Sequence, residues 1–399
     1  MFDEAQYWLW SLSPDWGYYS KPPLIAWAIW STTHACGHTE WCVRFASPVA
    51  HALASIGVYH CARLLFAPGV PAPAGTGLIK AVSLRQQPDS EDMPPEMRAD
   101  RIAFWSGLLY ATAPGVSFSS TLISTDPFLL LFWAWSLYFF IYAVHQPERD
   151  ARRFWVLAGI ATGLGILSKY AMLLFIPSAI LCLVLVPGGL SRIRSFGFWL
   201  YVTVALAFLM PNVLWNLAHG LVTISHTWGN AGLGGSLINP GKMLEFLVGQ
   251  LGVFGPVFII FMGMLFARPW ATRGDKRYLI LFSFSFPYLF LYLTLSLISR
   301  AHANWSAPVY VAGAIMVAAW LMETQARKCW LVAALAVNMA LMGFLVTYPA
   351  SVKLVGIQPA KSNDLFFRQR GQRAYSEAVA ALWNDYPGTL LVADTRYIV

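Results

Sequence analysis

Residues 127–145 read Pro-Phe-Leu-Leu-Leu-Phe-Trp-Ala-Trp-Ser-Leu-Tyr-Phe-Phe-Ile-Tyr-Ala-Val-His and contain no Asp, Glu, Lys or Arg. A helix needs about 20 mostly apolar residues to cross a bilayer, so this stretch predicts a membrane-spanning helix. Similar apolar stretches lie near 42–66, 102–120, 154–168, 170–187, 196–216, 244–267, 278–298, 305–323 and 329–348. The shorter segment 22–34 is expected to lie along the membrane interface. The pattern predicts an all-α polytopic membrane protein with about 10–11 membrane helices.

The composition of the whole chain supports this interpretation. Of its 399 residues, 57% are hydrophobic and 12% are charged, whereas about 25% are charged in soluble domains. The net charge is +8, but the basic residues sit mostly between the apolar segments. Basic residues in that position are topology signals. The composition therefore favours a lipid bilayer, and not a nucleic acid, as the surroundings of this chain.

The basic residues are distributed unevenly between alternate loops. One set of loops holds 15 of them and the other set only four, counted before the C-terminal tail. Because basic residues are retained in the cytoplasm, the second set is expected on the non-cytoplasmic face. That set comprises residues 1–41, the 121–126 turn, Lys169, the 217–243 loop and 299–304.

The domain organisation follows from the same pattern. We expect a membrane domain over 1–349 and a small, incomplete, non-cytoplasmic soluble domain over 350–399. The Pro-rich segment 68–100 is interpreted as a flexible cytoplasmic connector, and the Gly-rich run within 217–243 as a mobile lid. In the C-terminal part, residues 376–383 are predicted to be helical and 389–393 to form a strand.

The five cysteines show neither a CxxC pair nor the spacing of metal ligands. Most of them are interpreted as small apolar core residues. Cys36 and Cys42 are expected to form a disulfide only if their loop faces an oxidising compartment.

Three carboxylates on the expected outer face could carry chemistry. Asp3 and Glu4 precede an aromatic run, and a carboxylate there can act as a general base, although a solvated N-terminus also explains them. Asp126 precedes Pro127 at the start of an apolar helix, where an acid is a good helix cap. An acid at the edge of a membrane helix is also costly unless it is paired or functional, so both interpretations stay open.

Two lysines on the same face could bind an anionic group. Lys169 separates segments 154–168 and 170–187, which predicts a tight hairpin with a lysine at its tip. Lys21 precedes two prolines that stiffen its turn. Each lysine either extends to the interface or binds a phosphate.

A further polar cluster, Arg300-Ala-His302-Ala-Asn304-Trp305, precedes the apolar segment 305–323. The 217–243 loop adds His219 and His226. Two histidines seven residues apart are a weak metal signal and are more often polar interface residues.

At these positions the chain resembles the GT-C class of polyprenol-phosphate-sugar-dependent glycosyltransferases. The similarity is greatest to the bacterial branch of families 39 and 83, with the protein O-mannosyltransferases and the lipid A aminoarabinose transferases. The matching pieces, in order, are Asp3-Glu4-Ala-Gln-Tyr7, Gly17-Tyr-Tyr-Ser-Lys21-Pro-Pro-Leu24, Thr125-Asp126-Pro127, Gly163-Leu-Gly165-Ile-Leu-Ser-Lys169-Tyr170 and Arg300-Ala-His-Ala-Asn304-Trp305-Ser-Ala-Pro308. Weaker matches are Trp215-Asn216-Leu-Ala-His219-Gly220 and Gly249-Gln250-Leu-Gly-Val-Phe-Gly-Pro256.

The resemblance implies a GT-C fold and a role for each candidate. Asp3 would be the catalytic base, with Glu4 and Asp126 as further catalytic acids, and Lys21, Lys169 and Arg300 would bind the donor phosphate. Other substrate contacts are expected from Tyr7, Tyr19, His219, His302, Asn304 and Trp305. The implied reaction is inverting transfer of a sugar from a polyprenyl phosphate to a lipid, glycan or protein acceptor. It would take place on the periplasmic face of a bacterial inner membrane.

The chain departs from the family in three places. Only Met1 and Phe2 precede the Asp-Glu motif where relatives have a first membrane helix, and the C-terminal domain ends early, so truncation is expected. Ser20 stands where relatives have an acid, which argues against a divalent metal and leaves no firmly expected cofactor.

Two other functions stay open at this stage. The first is a flippase or transporter of lipid-linked sugars, which should place polar residues near the middle of the bilayer. The second is a non-catalytic accessory subunit.

Overall fold

The structure is a computed structural model that describes residues 2–68, 94–230, 238–268, 275–299, 301–356 and 372–386. Within these ranges all of the regular elements are helices, as predicted. The α-helices are α1 Phe2–Ser11, α2 Leu24–Cys36, α3 Glu40–Arg44, α4 Ala46–Phe66, α5 Pro95–Thr112, α6 Pro114–Ser119, α7 Asp126–His145, α8 Glu148–Ser168, α9 Phe175–Leu185, α10 Gly189–Ile193, α11 Phe196–Ala218, α12 Val222–Asn230, α13 Pro240–Phe254, α14 Pro256–Ala267, α15 Lys276–Ser283, α16 Phe286–Ile298, α17 Val309–Leu321, α18 Gln325–Leu354 and α19 Gln372–Asn384. Two 3₁₀ turns, Tyr170–Leu174 and Ala303–Ser306, precede α9 and α17.

Five helical stretches among the described residues are long and apolar enough to cross a bilayer. They are Glu40–Phe66, Asp126–His145, Phe196–Ala218, Lys276–Ile298 and Arg327–Tyr348. The helices α13 and α14 make a sixth candidate, but they meet at an angle of 120°. The count of 10–11 from sequence included shorter apolar helices such as α9 and α17. The prediction of a polytopic all-α membrane protein is confirmed.

The core of the bundle forms around α7, which packs against α4 and α8, while α8 packs against α11. Small residues allow the α8–α11 approach. A Cβ atom on Gly159 would lie 2.8 Å from the carbonyl oxygen of Tyr201, and one on Gly163 would lie 2.7 Å from the Phe208 side chain. Close backbone approach through small residues is how membrane helices gain packing contacts.

The candidate residues gather at one end of this bundle. Because α7 begins at Asp126 and α8 ends at Ser168, the antiparallel pair brings Asp126 next to Lys169. The amide of Ile123 donates to Glu4 Oε1 over 2.9 Å, which fixes α1 to the same end. These contacts agree with the charge pattern, which predicts that residues 1–41, the 121–126 turn and Lys169 share one face.

A disulfide joins Cys36, the last residue of α2, to Cys42 in α3, with a Cα–Cα distance of 5.9 Å. The pairing that the sequence made conditional on an oxidising compartment is therefore present. Cys61 and Cys182 are buried thiols, as expected of apolar core residues.

Several predicted boundaries differ from those in the structure. Segment 102–120 is divided at Pro114, which begins α6 and cannot continue the hydrogen bonding of α5. The 68–100 connector is shorter than predicted, because α5 already begins at Pro95. The 217–243 loop includes α12, and its residues 231–237 lie outside the described part of the chain.

In the C-terminal part, α18 extends across the predicted domain boundary at residue 349. The helix predicted over 376–383 is present as α19, Gln372–Asn384. The strand predicted over 389–393 lies outside the described residues.

Candidate functional site

Asp126 is the centre of a charged cluster at the N-terminal end of α7. Lys169 Nζ donates to Asp126 Oδ1 over 2.6 Å, and Asn304 Nδ2 donates to Asp126 Oδ2 over 2.7 Å. The Lys169 and Asp126 side chains are 19% and 14% exposed. Both carboxylate oxygens are therefore engaged by groups from two distant parts of the chain, and the ion pair is largely removed from solvent.

Local structure sets the position of each member of this cluster. Pro127 at the start of α7 needs no amide partner, so Asp126 can stand at the helix terminus. Lys169 has extended backbone angles between α8 and the 3₁₀ turn, which directs the chain back into the bundle at the predicted hairpin tip.

Asn304 reaches Asp126 because the turn before α17 is held by Gln250 of α13. Gln250 is 2% exposed, its Nε2 donates to the carbonyl of Ala303 over 3.2 Å, and its Oε1 accepts from Ser306 Oγ over 2.8 Å. Tyr310 also donates to Gln250 Oε1. The weak sequence match at Gly249-Gln250 thus lies in contact with the turn that carries Asn304.

Lys21 lies in the loop between α1 and α2, which turns tightly before the two prolines. The amide of Tyr18 donates to the carbonyl of Lys21 over 3.3 Å and closes the turn. The Lys21 ammonium is close enough to the Asp126 carboxylate to interact with it electrostatically. Three charged groups predicted separately, Lys21, Asp126 and Lys169, therefore share one electrostatic environment.

A buried polar network that the sequence reasoning missed connects Lys169 to the Lys21 loop. Tyr170 donates its hydroxyl proton to Asn212 Oδ1 over 2.6 Å, and Asn212 Nδ2 donates to the carbonyl of Trp16 over 2.7 Å. The side chain of Thr223 donates to the carbonyl of Tyr18 over 2.6 Å. Asn212 and Thr223 are 1% and 0% exposed.

The network had a detectable signal in the sequence. Asn212 and Asn216 lie four residues apart in the otherwise apolar helix α11, and such residues share a helix face. Polar residues within a membrane helix are usually retained for a function or a specific contact. Asp15 makes a further contact from the loop, since Trp215 Nε1 donates to its Oδ2 over 2.7 Å.

We expect Gly17→Ala to disturb this loop. A Cβ atom at Gly17 would lie 2.4 Å from the Trp215 ring, closer than real Cβ contacts, so the loop or the indole must move. Overpacking of this kind lowers the free energy of unfolding by about 1–3 kcal/mol. Thermal unfolding of the purified variant should show the loss, whereas Gly252→Ala in α13, where a Cβ meets nothing within 4 Å, should not lower the melting temperature. Equal stability of both variants and wild type would contradict this account of the loop.

Glu4 has a well-defined structural environment. Arg44 Nε and Nη2 donate to Glu4 Oε1 and Oε2, each over 2.8 Å, and Glu4 is 6% exposed. Burial acts to raise the pKa of Glu4, but hydrogen bonds to the carboxylate, first among them that from Arg44, hold the pKa below its usual value. Glu4 therefore links α1 to α3 and to the 121–126 turn as a carboxylate, while Asp3 beside it is half-buried in the first turn of α1.

The remaining candidates are distributed around this end of the molecule. Tyr7 is buried at 3%, whereas Tyr19 is 55% exposed with its ring 5.0 Å from that of His226. His219 stacks on Trp215 at 4.0 Å, and His302 meets Trp305 edge-on at 5.3 Å. Tyr7 thus packs in a small core, and the others form aromatic pairs. Arg300 lies outside the described residues.

The residues near Lys21 do not fit a divalent cation. In the described part of the chain, no three His, Cys, Asp or Glu side chains converge as metal ligands. Ser20 stands where the family resemblance leads us to expect an acid, and its hydroxyl is buried and makes no hydrogen bond within the described residues. A neutral hydroxyl is a much poorer ligand for a hard cation than a carboxylate.

The comparison with known sequences identifies the family. A family model described as dolichyl-phosphate-mannose-protein mannosyltransferase matches residues 20–84 and 97–215. The lipid A galacturonosyltransferase RgtD of Rhizobium johnstonii is 31% identical over 410 aligned residues, which cover 100% of this chain and 76% of that protein.

Solved structures share the fold. ArnT from Cupriavidus metallidurans in the apo state superposes with a TM-score of 0.60 at 19% identity, over 95% of this chain and 64% of the ArnT chain. The structure of ArnT bound to undecaprenyl phosphate superposes with a TM-score of 0.59, over 96% of this chain and 64% of the ArnT chain. The oligosaccharyltransferase of Archaeoglobus fulgidus superposes with a TM-score of 0.52 at 14% identity. The match covers 94% of this chain and 50% of the oligosaccharyltransferase chain. The chain thus spans less than two thirds of the length of these structures. With the fold, the charged cluster at Asp126 and a relative of 31% identity in agreement, the chain belongs to the GT-C class of polyprenol-phosphate-sugar-dependent glycosyltransferases and is itself a membrane glycosyltransferase.

Proposed function

We propose that this protein transfers a sugar from a polyprenyl-phosphate donor to an acceptor on the non-cytoplasmic face of a bacterial inner membrane. The observation that carries the proposal is the partly buried cluster of Lys169, Asp126 and Asn304, with Lys21 in its electrostatic field. The donor class is supported by ArnT, which shares the fold and was solved with undecaprenyl phosphate. Lipid A is the acceptor that the name of RgtD suggests, and a glycan or a protein stays the alternative.

In the proposed reaction, a nucleophilic group of the acceptor attacks the anomeric carbon while the bond from that carbon to the phosphate oxygen breaks. Asp3 accepts the proton of the nucleophile. The bonding electron pair leaves on the polyprenyl phosphate, and direct displacement inverts the anomeric centre. No step requires a redox partner or a metal ion.

Cations placed in advance would stabilise the departing phosphate. Lysine has three N–H donors, and Lys169 gives one of them to Asp126, which leaves donor capacity for a phosphate oxygen. Lys21 and Arg300 are the other proposed contacts. Each charge-assisted hydrogen bond contributes about 1.5–3 kcal/mol, and fixed charges of this kind need little reorganisation during the reaction.

Two observations support the non-cytoplasmic location of the site. By sequence, the loops expected on the side of this site carry four basic residues and the alternate loops carry 15, counted before the C-terminal tail. The Cys36–Cys42 disulfide joins α2 to α3 at the same end, and disulfides persist in oxidising compartments such as the periplasm.

A transfer assay tests the proposed function directly. The purified full chain in detergent or vesicles is incubated with undecaprenyl-phosphate galacturonic acid and lipid A, and products are identified by mass spectrometry. The same method applied to lipid A, surface glycans and envelope proteins from cells with and without the gene identifies the natural acceptor. If no sugar-bearing product depended on this protein in either experiment, the proposal would be wrong.

Lys21→Ala is expected to impair use of the donor more than use of the acceptor. Loss of one charge-assisted contact should raise the KM for the polyprenyl-phosphate sugar about 10–100-fold. Lys242→Ala is the matched control, because Lys242 is an exposed lysine at the start of α13 on the same face. A donor KM and kcat equal to those of wild type would refute the role of Lys21.

A further inference from the structure

An open concave site lies between α1 and α3. Its cavity volume is about 250 Å³, and its polar and aromatic lining consists of Glu4, Trp8, His38, Glu40 and Arg44. Pockets for drug-sized ligands measure about 300–1,000 Å³, so this cavity suits a smaller group, of the size of one sugar ring.

The wall of this cavity is held in place by several contacts. The Cys36–Cys42 disulfide closes the short segment that carries His38 and Glu40. Trp8 Nε1 donates to His38 Nδ1 over 3.0 Å, which ties that segment to α1. A site that is ordered before its ligand arrives loses less entropy on binding.

The lining offers the groups that a carbohydrate requires. Because His38 Nδ1 accepts from Trp8, the neutral imidazole carries its proton on Nε2, which becomes a donor. The Glu40 side chain is 76% exposed and presents acceptor oxygens. Sugar hydroxyls both donate and accept, and the indole of Trp8 supplies an apolar surface for the face of the ring.

The charge of the lining selects among ligands. Glu4 and Glu40 carry two negative charges and Arg44 one positive charge, and Arg44 is already bound by both carboxylates. The remaining negative charge disfavours a phosphate and is compatible with a neutral or amino sugar.

The α1 residues in the lining, Glu4 and Trp8, are four positions apart and share one helix face. We propose that this cavity binds a neutral or amino sugar ring of the acceptor. The inference rests on the proposed transfer reaction and specifies where the acceptor binds.

Substitutions in the full chain test the acceptor subsite. Trp8→Phe keeps an aromatic ring but removes the N–H donated to His38, and His38→Ala removes the imidazole. Each variant is expected to raise the KM for the acceptor about tenfold while the KM for the polyprenyl-phosphate donor stays unchanged. Trp30→Ala is the matched control, since Trp30 pairs with His34 in α2, with ring centroids 4.4 Å apart, outside the cavity.

A binding measurement separates failure of this inference from failure of the proposed function. Saturation-transfer NMR with methyl β-glucosaminide should show contact with wild type and with Trp30→Ala, and a weaker signal with both cavity variants. Wild-type acceptor KM values in the folded cavity variants would overturn the subsite while leaving the transfer reaction intact. If wild type transfers no sugar, the proposed function fails, and the NMR signal alone decides whether the cavity binds sugars.

Discussion

Replacement of Asp3 by asparagine is expected to lower the rate of sugar transfer by about 10²–10⁴-fold, the range that a positioned general base contributes. The amide has nearly the shape of the carboxylate but cannot accept the proton of the acceptor. Asp3 lies in the first turn of α1, which Glu4 fixes to Arg44 and to the Ile123 amide, so the substitution should leave this helix in place. The measurement is the initial rate of product formation at saturating donor and acceptor.

Three controls make the Asp3 result specific. Asp150→Asn removes an exposed acid at the start of α8, at the other end of the bundle, and should retain the wild-type rate. Insertion and folding of Asp3→Asn are checked by its thermal unfolding in detergent. The donor KM should change little, because the proposed base acts on the acceptor. Transfer by Asp3→Asn at the wild-type rate would remove Asp3 from the mechanism.

The sequence predicts the fold well where physical constraints are strong. A bilayer demands long apolar helices, and the apolar run at 127–145 therefore corresponds closely to α7, Asp126–His145. The lysine at the hairpin tip and the shared face of Asp126, Lys169 and Asn304 follow from the alternation of apolar segments and loops. Helix breaks were less predictable, since Pro114 lies within an apolar segment and only the tertiary structure shows where the chain changes direction.

The site was predictable in its charged residues and less so in the contacts that hold them. Asp126 was equally explained as a helix cap and as a functional acid, and its ion pair with Lys169 depends on helix packing that hydropathy does not describe. Asn212 donates to the carbonyl of Trp16, 196 residues away in the sequence, and Gln250 donates to the carbonyl of Ala303, 53 residues away. Partners this distant cannot be inferred from local sequence patterns, so the supporting network emerged only from the three-dimensional structure.

The ion pair between Asp126 and Lys169 is expected to behave as one unit in a double-mutant cycle. Asp126→Asn leaves Lys169 without its carboxylate, and Lys169→Met leaves Asp126 without its ammonium. Removing one partner of a fully buried ion pair lowers the free energy of unfolding by about 3–5 kcal/mol. We expect a smaller loss here, because the Lys169 and Asp126 side chains remain 19% and 14% exposed. We expect each single variant to have a lower melting temperature than wild type. We also expect its transfer rate to fall at least tenfold, because a proposed contact to the donor is lost or misplaced.

The double variant Asp126→Asn/Lys169→Met distinguishes a unit from two independent residues. Groups that act together are strongly non-additive, so the double variant should transfer sugar no more slowly than the slower single variant and should be more stable than either. The exposed pair of Arg63 and Asp100 at the other end of the bundle, 2.6 Å apart, provides the control. Asp100→Asn should change neither quantity. If the two single effects on the transfer rate simply multiplied, Asp126 and Lys169 would act separately, and the expectation that the ion pair works as one unit would be wrong.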